Sequence, residues 1–187
     1  MSTTTTPIPT GTWTLDKNHS AITFSIRHLG LSNVHGRFDR FDATLDVGET
    51  LEDTKVTATV DLSSVDTNQP DRDAHLLGTD FFHADAHPTM TFVSTRLSGR
   101  DDEYVMTGEL VINGITRVVS FDVEFNGSEV FPGDQKLHSG FTATGDIKRG
   151  DFDIDFNMPL GMGKLALGEK VKVEIDVQFV APELQQG

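Results

Sequence analysis

Alternation of apolar and polar residues is the feature that most constrains this chain, because it recurs from Ser20 to Phe179. In the clearest run, residues 171–179, Val, Ile and Phe alternate with Lys, Glu, Asp and Gln. A period of two places apolar side chains on one face of a β-strand and polar side chains on the other. We predict about eight strands, in residues 20–29, 37–47, 56–62, 90–95, 104–112, 115–125, 141–147 and 171–179.

Short connections indicate that these strands are antiparallel neighbours. Asn113-Gly114 lies between two alternating runs and is a strong signal for a tight hairpin turn. Strands with one apolar face each must bury those faces together, either in a sandwich or in a closed barrel. An eight-stranded barrel has an interior that is filled by side chains or holds one small ligand.

The segment between Ser63 and Pro88 has no alternation. The residues Asp73–Leu77 have helical character, Gly78 would end that helix, and Asp80 is a good N-cap for a second short helix. This insertion could cap one end of a barrel with its large apolar side chains. Those side chains are Leu76, Leu77, Phe81 and Phe82.

Composition narrows the function classes. The chain has no cysteine, which excludes disulfides, zinc–thiolate sites and thiol nucleophiles. Its net charge of -14 argues against nucleic-acid binding and against docking to anionic membranes. It has no apolar run long enough for an integral membrane segment. The first ten residues lack the features of a secretion signal, so we expect a cytoplasmic protein.

The length of 187 residues favours a single domain. We assign residues 1–11 to a flexible N-terminal tail, 12–182 to one barrel domain and 183–187 to a C-terminal tail. The 13 Phe residues, against one Trp and one Tyr, belong in dry surroundings. They predict either a solid Phe-rich core or a dry cavity that holds an apolar ligand.

Histidines raise an alternative, a metal-dependent enzyme with a His/Asp cluster at the barrel mouth. His83 and His87 flank Asp85, and Asp73 and His75 are close in sequence. Imidazole and carboxylate groups bind several transition metals, but Pro88 argues against a shared helix face for the two histidines. The simpler interpretation is a set of surface or capping histidines. The chain contains no nucleophile elbow, phosphate-binding loop or zinc-protease motif.

Several segments together resemble the YceI-like family of polyisoprenoid-binding proteins, over nearly all residues from Trp13 to Phe179. The segments are WTLDKNHS (13–20), AITFSIRH (21–28), RDAHLLGTDFF (72–82), HPTMTF (87–92), GELVINGITRVVSF (108–121), IKRGDFDI (147–154) and LGEKVKVEIDVQF (167–179).

This resemblance implies an all-β fold, an eight-stranded antiparallel lipocalin-like β-barrel with the short helical insertion capping one end. It further implies a long apolar cavity for a polyisoprenoid, as in a quinone or a polyprenyl phosphate, or for a related fatty lipid. It implies a homodimer and no catalytic residues or catalytic cofactor. The chain departs from the family where Asp153, rather than glycine, follows Asp151-Phe152.

We predict the ligand-binding residues from the apolar strand faces and from the insertion. The net charge favours a neutral, quinone-like head group over a diphosphate. Arg72 and His75 either contact that head group or tie the insertion to the barrel through hydrogen bonds. The predicted cavity wall is Phe24, Ile26, Phe41, Met90, Phe92, Met106, Leu110 and Phe121, and the predicted lid is Leu76, Leu77, Phe81 and Phe82.

Overall fold

The computed structural model describes residues 4–183, which form an all-β domain with one short α-helix, α1 (Pro70–Leu77). Four 3-10 turns cover Lys17–His19, Leu51–Asp53, Leu62–Ser64 and Arg149–Phe152. The strands are β1 (Gly11–Leu15), β2 (Ala21–His28), β3 (Ser32–Phe38), β4 (Phe41–Val47), β5 (Lys55–Asp61), β6 (Val65–Asp66), β7 (Thr89–Arg100), β8 (Glu103–Ile112), β9 (Ile115–Phe131), β10 (Lys136–Lys148), β11 (Pro159–Gly161), β12 (Lys164–Leu165) and β13 (Leu167–Val180).

Eight strands form a closed antiparallel ring in the order β1–β4–β5–β7–β8–β9–β10–β13. The ring closes where Thr14 and Leu15 of β1 pair with Val180 and Phe179 of β13. The other half of β13 pairs with β2, which continues the sheet through β3 and β6. The predicted eight-stranded barrel with a helical insertion is therefore confirmed.

The prediction of one strand over residues 37–47 is wrong. Arg37 and Phe38 end β3, a strand that the sequence analysis missed, and β4 begins at Phe41. The chain turns at Asp39 and Arg40, where no glycine or proline marks the turn. The short strands β1, β6, β11 and β12 were also missed, since few residues give little periodicity to detect.

Helix α1 is longer than the predicted Asp73–Leu77. It begins at Pro70, where the Gln69 side chain accepts hydrogen bonds from the backbone of Asp71 (2.7 Å) and Arg72 (3.0 Å). It ends at Gly78, as predicted.

The predicted second helix at Asp80 is absent, since residues 79–82 form turns. The Asp80 carboxylate instead accepts a hydrogen bond from His75 Nε2 at 2.8 Å. Among residues 4–183, none of the helices has the length and apolar character needed to cross a bilayer.

Within the described residues, the segment before β1 packs against the barrel. Ile8 is buried and Trp13 is completely buried in one cluster with Leu45, and Trp13 Nε1 donates a hydrogen bond to the Pro9 carbonyl at 2.9 Å. Thr6 Oγ1 donates to the Gly48 carbonyl at 2.9 Å. Residues 1–3 and 184–187, which include the rest of the two assigned tails, lie outside the described residues.

Replacing Ile8 with alanine removes apolar contacts from this packed end. We expect Ile8→Ala to lower the free energy of unfolding by about 2 kcal/mol, measured by urea denaturation. The control is Leu31→Ala, because Leu31 is 80% exposed and its change should stay within about 0.5 kcal/mol. Equal stability of the two variants would contradict the packing of Ile8.

Candidate functional site

A cavity of about 580 Å³ runs through the barrel. It reaches from Ile8 and Leu51 at one end to Leu76 and Phe81 of the insertion at the other. Its wall is almost wholly apolar. Cavities of about 300–1,000 Å³ are typical of small-molecule sites, and β4, which follows its wall for seven residues, is about 20 Å long. The space therefore suits a long apolar chain.

Strand alternation explains why the wall is apolar. On β13, Val173 and Ile175 line the cavity, whereas Lys172 and Glu174 are exposed. On the other ring strands, too, Val, Ile, Phe and Met side chains line the cavity and no Asp or Glu does, although Val105 and Val118 are exposed. The alternation that predicted the strands thus also separates the charged surface from the apolar interior.

Phenylalanine rings lying over glycines keep the interior hollow. A Cβ atom on Gly36 of β3 would overlap the Phe24 ring of the paired strand β2. A Cβ atom on Gly108 of β8 would lie 2.5 Å from Cζ of Phe92 on β7. Because each ring occupies the space above a glycine, it lies along the wall rather than across the cavity. The sequence analysis did not use this pairing, which appears only once strand register is known.

The structure brings the predicted ligand-binding residues together around this cavity, with one exception. Leu77 does not line it and packs instead on the cluster formed by Phe38, Val60, Leu62 and Val65. Those that line it are Phe24, Ile26, Phe41, Arg72, His75, Leu76, Phe81, Phe82, Met90, Phe92, Met106, Leu110 and Phe121.

Arg72 is exposed at the lid end, and its guanidinium is engaged within the insertion. Its Nε donates to Thr67 Oγ1 at 2.7 Å and its Nη2 donates to the Thr67 carbonyl at 2.6 Å. The Thr67 hydroxyl in turn donates to the Asp73 carboxylate at 2.6 Å. These contacts lie within the insertion, so a head-group contact and a tie to the barrel both stay predictions for Arg72.

An aromatic cluster joins the lid to the loop after β10. The rings of His75, Phe81 and Phe156 are mutual neighbours, with centroid distances of 5.0, 5.0 and 5.2 Å. Phe156 was not predicted, because it lies in an irregular segment with no periodicity. The cluster fixes the position of the lid over the cavity.

Arg149 is a further residue that the sequence analysis missed. It lines the cavity and is only 8% exposed. Its Nε donates to the Gly168 carbonyl, and its Nη1 donates to the carbonyls of Ile154 and Phe156, each at 2.8 Å. Burial lowers the pKa of the Arg149 guanidinium, against the opposing influence of Glu169. The only signal in the sequence was its position inside the quoted IKRGDFDI segment.

The predicted His/Asp cluster is not assembled. The rings of His83 and His87 lie 6.0 Å apart, whereas His75 is paired with Asp80 and Asp73 with Thr67. Over residues 4–183, no three His, Asp or Glu side chains are grouped so that they could hold a metal ion. The alternative of a metal centre at the mouth therefore has no geometric basis in this part of the chain.

Known proteins share both the sequence pattern and the fold. The YceI-like domain matches residues 13–179. The chain belongs to the YceI-like family. It is 41% identical over 165 residues to a UPF0312 protein of Staphylococcus epidermidis, which covers 88% of this chain and 94% of the relative.

Two solved structures illustrate the common architecture. The Campylobacter jejuni YceI protein superposes with a TM-score of 0.71 at 31% identity, covering 84% of this chain and 91% of that protein. A polyisoprenoid-binding domain from Saccharophagus degradans superposes with a TM-score of 0.66, covering 91% and 98%. At 15% identity the second likeness supports the fold alone.

The ring-over-glycine packing predicts that Gly36→Ala displaces the Phe24 ring into the cavity. We expect a loss of about 1–3 kcal/mol in the free energy of unfolding and weaker binding of an apolar fluorescent dye. Gly140→Ala is the control, because a Cβ atom there meets its nearest neighbour at 3.7 Å. Unchanged dye binding in Gly36→Ala would contradict a role for this pair in keeping the cavity open.

Proposed function

We propose that this protein binds a polyisoprenoid, or a related long-chain lipid with a quinone-like head group, in the barrel cavity. It acts as a carrier or storage protein rather than as an enzyme. The observation that carries this proposal is the continuous apolar cavity between Ile8 and Leu76. Family membership supports it, as does the likeness to a domain described as polyisoprenoid-binding.

Burial of hydrocarbon supplies the driving force. Each CH₂-sized group moved out of water contributes about 0.8 kcal/mol, so a fully enclosed five-carbon prenyl unit contributes roughly 3–4 kcal/mol before losses. Lost motion of the chain offsets part of this gain. Since apolar contacts have little directionality, selectivity arises from chain length and shape, with polar contacts only at the head group.

The ligand enters, in this proposal, at the lid end. Arg72 and His75 lie there, and Leu76, Phe81 and Phe82 cover the chain. Leu77 supports the lid from behind through the Phe38 cluster. A homodimer and a cytoplasmic location stay predictions.

Mass spectrometry of lipid extracted from natively purified protein tests the proposal directly. We expect an isoprenoid or another long-chain lipid in stoichiometric amount, or stoichiometric uptake of an added isoprenoid quinone. Protein that contains no lipid and takes up neither an isoprenoid quinone nor a fatty lipid would overturn the proposal.

A matched pair of variants on β5 separates the cavity from the surface. Ala58 lines the cavity and the next residue, Thr59, is exposed on the outside. Ala58→Phe fills the cavity, and we expect at least about a ten-fold loss of lipid affinity, equivalent to about 1.4 kcal/mol. Thr59→Phe should leave the affinity unchanged. Equal affinities of the two variants would place the lipid outside the barrel.

A further inference from the structure

Arg149 is a buried cation on the wall of an otherwise apolar cavity. Its Nε donates a hydrogen bond to the Gly168 carbonyl, and its Nη1 donates to the carbonyls of Ile154 and Phe156. Its Nη2 donates to no acceptor among residues 4–183, and this atom is not fully enclosed by protein atoms. A ligand oxygen that reaches Nη2 can therefore accept a hydrogen bond that no protein group accepts.

Within the described part of the chain, no direct ion pair holds the Arg149 guanidinium. Glu169 and Asp155 lie near enough to favour the charged form, yet neither makes an ion pair with the guanidinium within 4.0 Å. In the cavity wall around it, the side chains of Ile147, Phe152 and Val171 are apolar. The site therefore offers one guanidinium with one donor group that no protein acceptor uses, and two carboxylates lie nearby.

Arg149 lies at the lid end of the cavity. The carbonyl of Phe156 accepts its hydrogen bond, and the ring of Phe156 packs against His75 and Phe81 of the lid. The other cation on the cavity wall, Arg72, is exposed and already bonded to Thr67. Arg149 is thus the buried arginine placed to meet the head of a chain whose tail points toward Ile8.

We propose that Arg149 anchors the lipid head group, with Nη2 donating a hydrogen bond to a single acceptor oxygen, a carbonyl or a carboxylate. This inference rests on the proposed function. A diphosphate fits poorly, because its several charged oxygens need a cluster of cations and the site supplies one. The acceptable ligands are long apolar chains whose head carries at most one negative charge.

A series of ligands with one chain length tests the anchor. The probes are hexadecane, 2-hexadecanone, hexadecanoic acid and hexadecyl diphosphate, each measured by displacement of an apolar fluorescent dye. In the unaltered protein we expect the ketone, the acid or both to bind about ten- to hundred-fold more tightly than hexadecane. The ketone and the acid separate a neutral head group from a charged one.

Arg149→Met should reduce this preference to less than about three-fold while hexadecane still binds. The control is Arg117→Met, because Arg117 is exposed and does not line the cavity. That control should keep the full preference for the oxygen-bearing chains.

Arg149 also donates hydrogen bonds to three backbone carbonyls, so the Arg149→Met variant could fail to fold. A measurement on the unaltered protein tests the anchor without that variant. The Nε–Hε NMR resonance of Arg149, assigned by its loss in Arg149→Lys, should shift with an oxygen-bearing chain but not with hexadecane. Equal binding of all four probes, or much tighter binding of the diphosphate, would overturn the anchor and leave lipid binding intact. Failure of every chain to bind would overturn the proposed function as well.

Discussion

Closure of the sheet is the constraint on which the rest of this structure depends. Once β13 returns to β1, eight strands fix a barrel whose interior is just wide enough for side chains or one slender ligand. Whether that interior is solid is then decided by how the inward side chains lie. The rings of Phe24 and Phe92 lie over Gly36 and Gly108, which leaves the centre open.

The hollow interior explains the unusual environment of Arg149. In a solid core, a buried guanidinium without a carboxylate partner would lie among packed apolar side chains at a large cost. Here three backbone carbonyls hold it at the wall, beside a space that a ligand oxygen can enter. The same loop carries Phe156, which connects Arg149 to the lid through His75 and Phe81. In the proposed anchor, lid position and head-group contact are thereby coupled.

Sequence patterns predicted the parts of the fold that depend on local periodicity. The Asn113-Gly114 turn joins β8 and β9 with both residues at positive φ, as its composition predicted. The turn at Asp39 and Arg40 was missed, because it holds no glycine or proline and a single aspartate is a weak turn signal. The helix start at Pro70 was missed because Gln69, an unusual cap, satisfies two backbone donors there.

By itself, the sequence determined the strand faces, the acidic exterior, the helical insertion and the family. Alternation and composition predict these features because they depend on residues that are close to one another in the sequence. Only the tertiary structure decided that the interior is hollow, that Leu77 does not line the cavity, and that Arg149 lies on its wall. These features depend on which residues of distant strands lie opposite one another, and strand register is set by closure of the whole sheet.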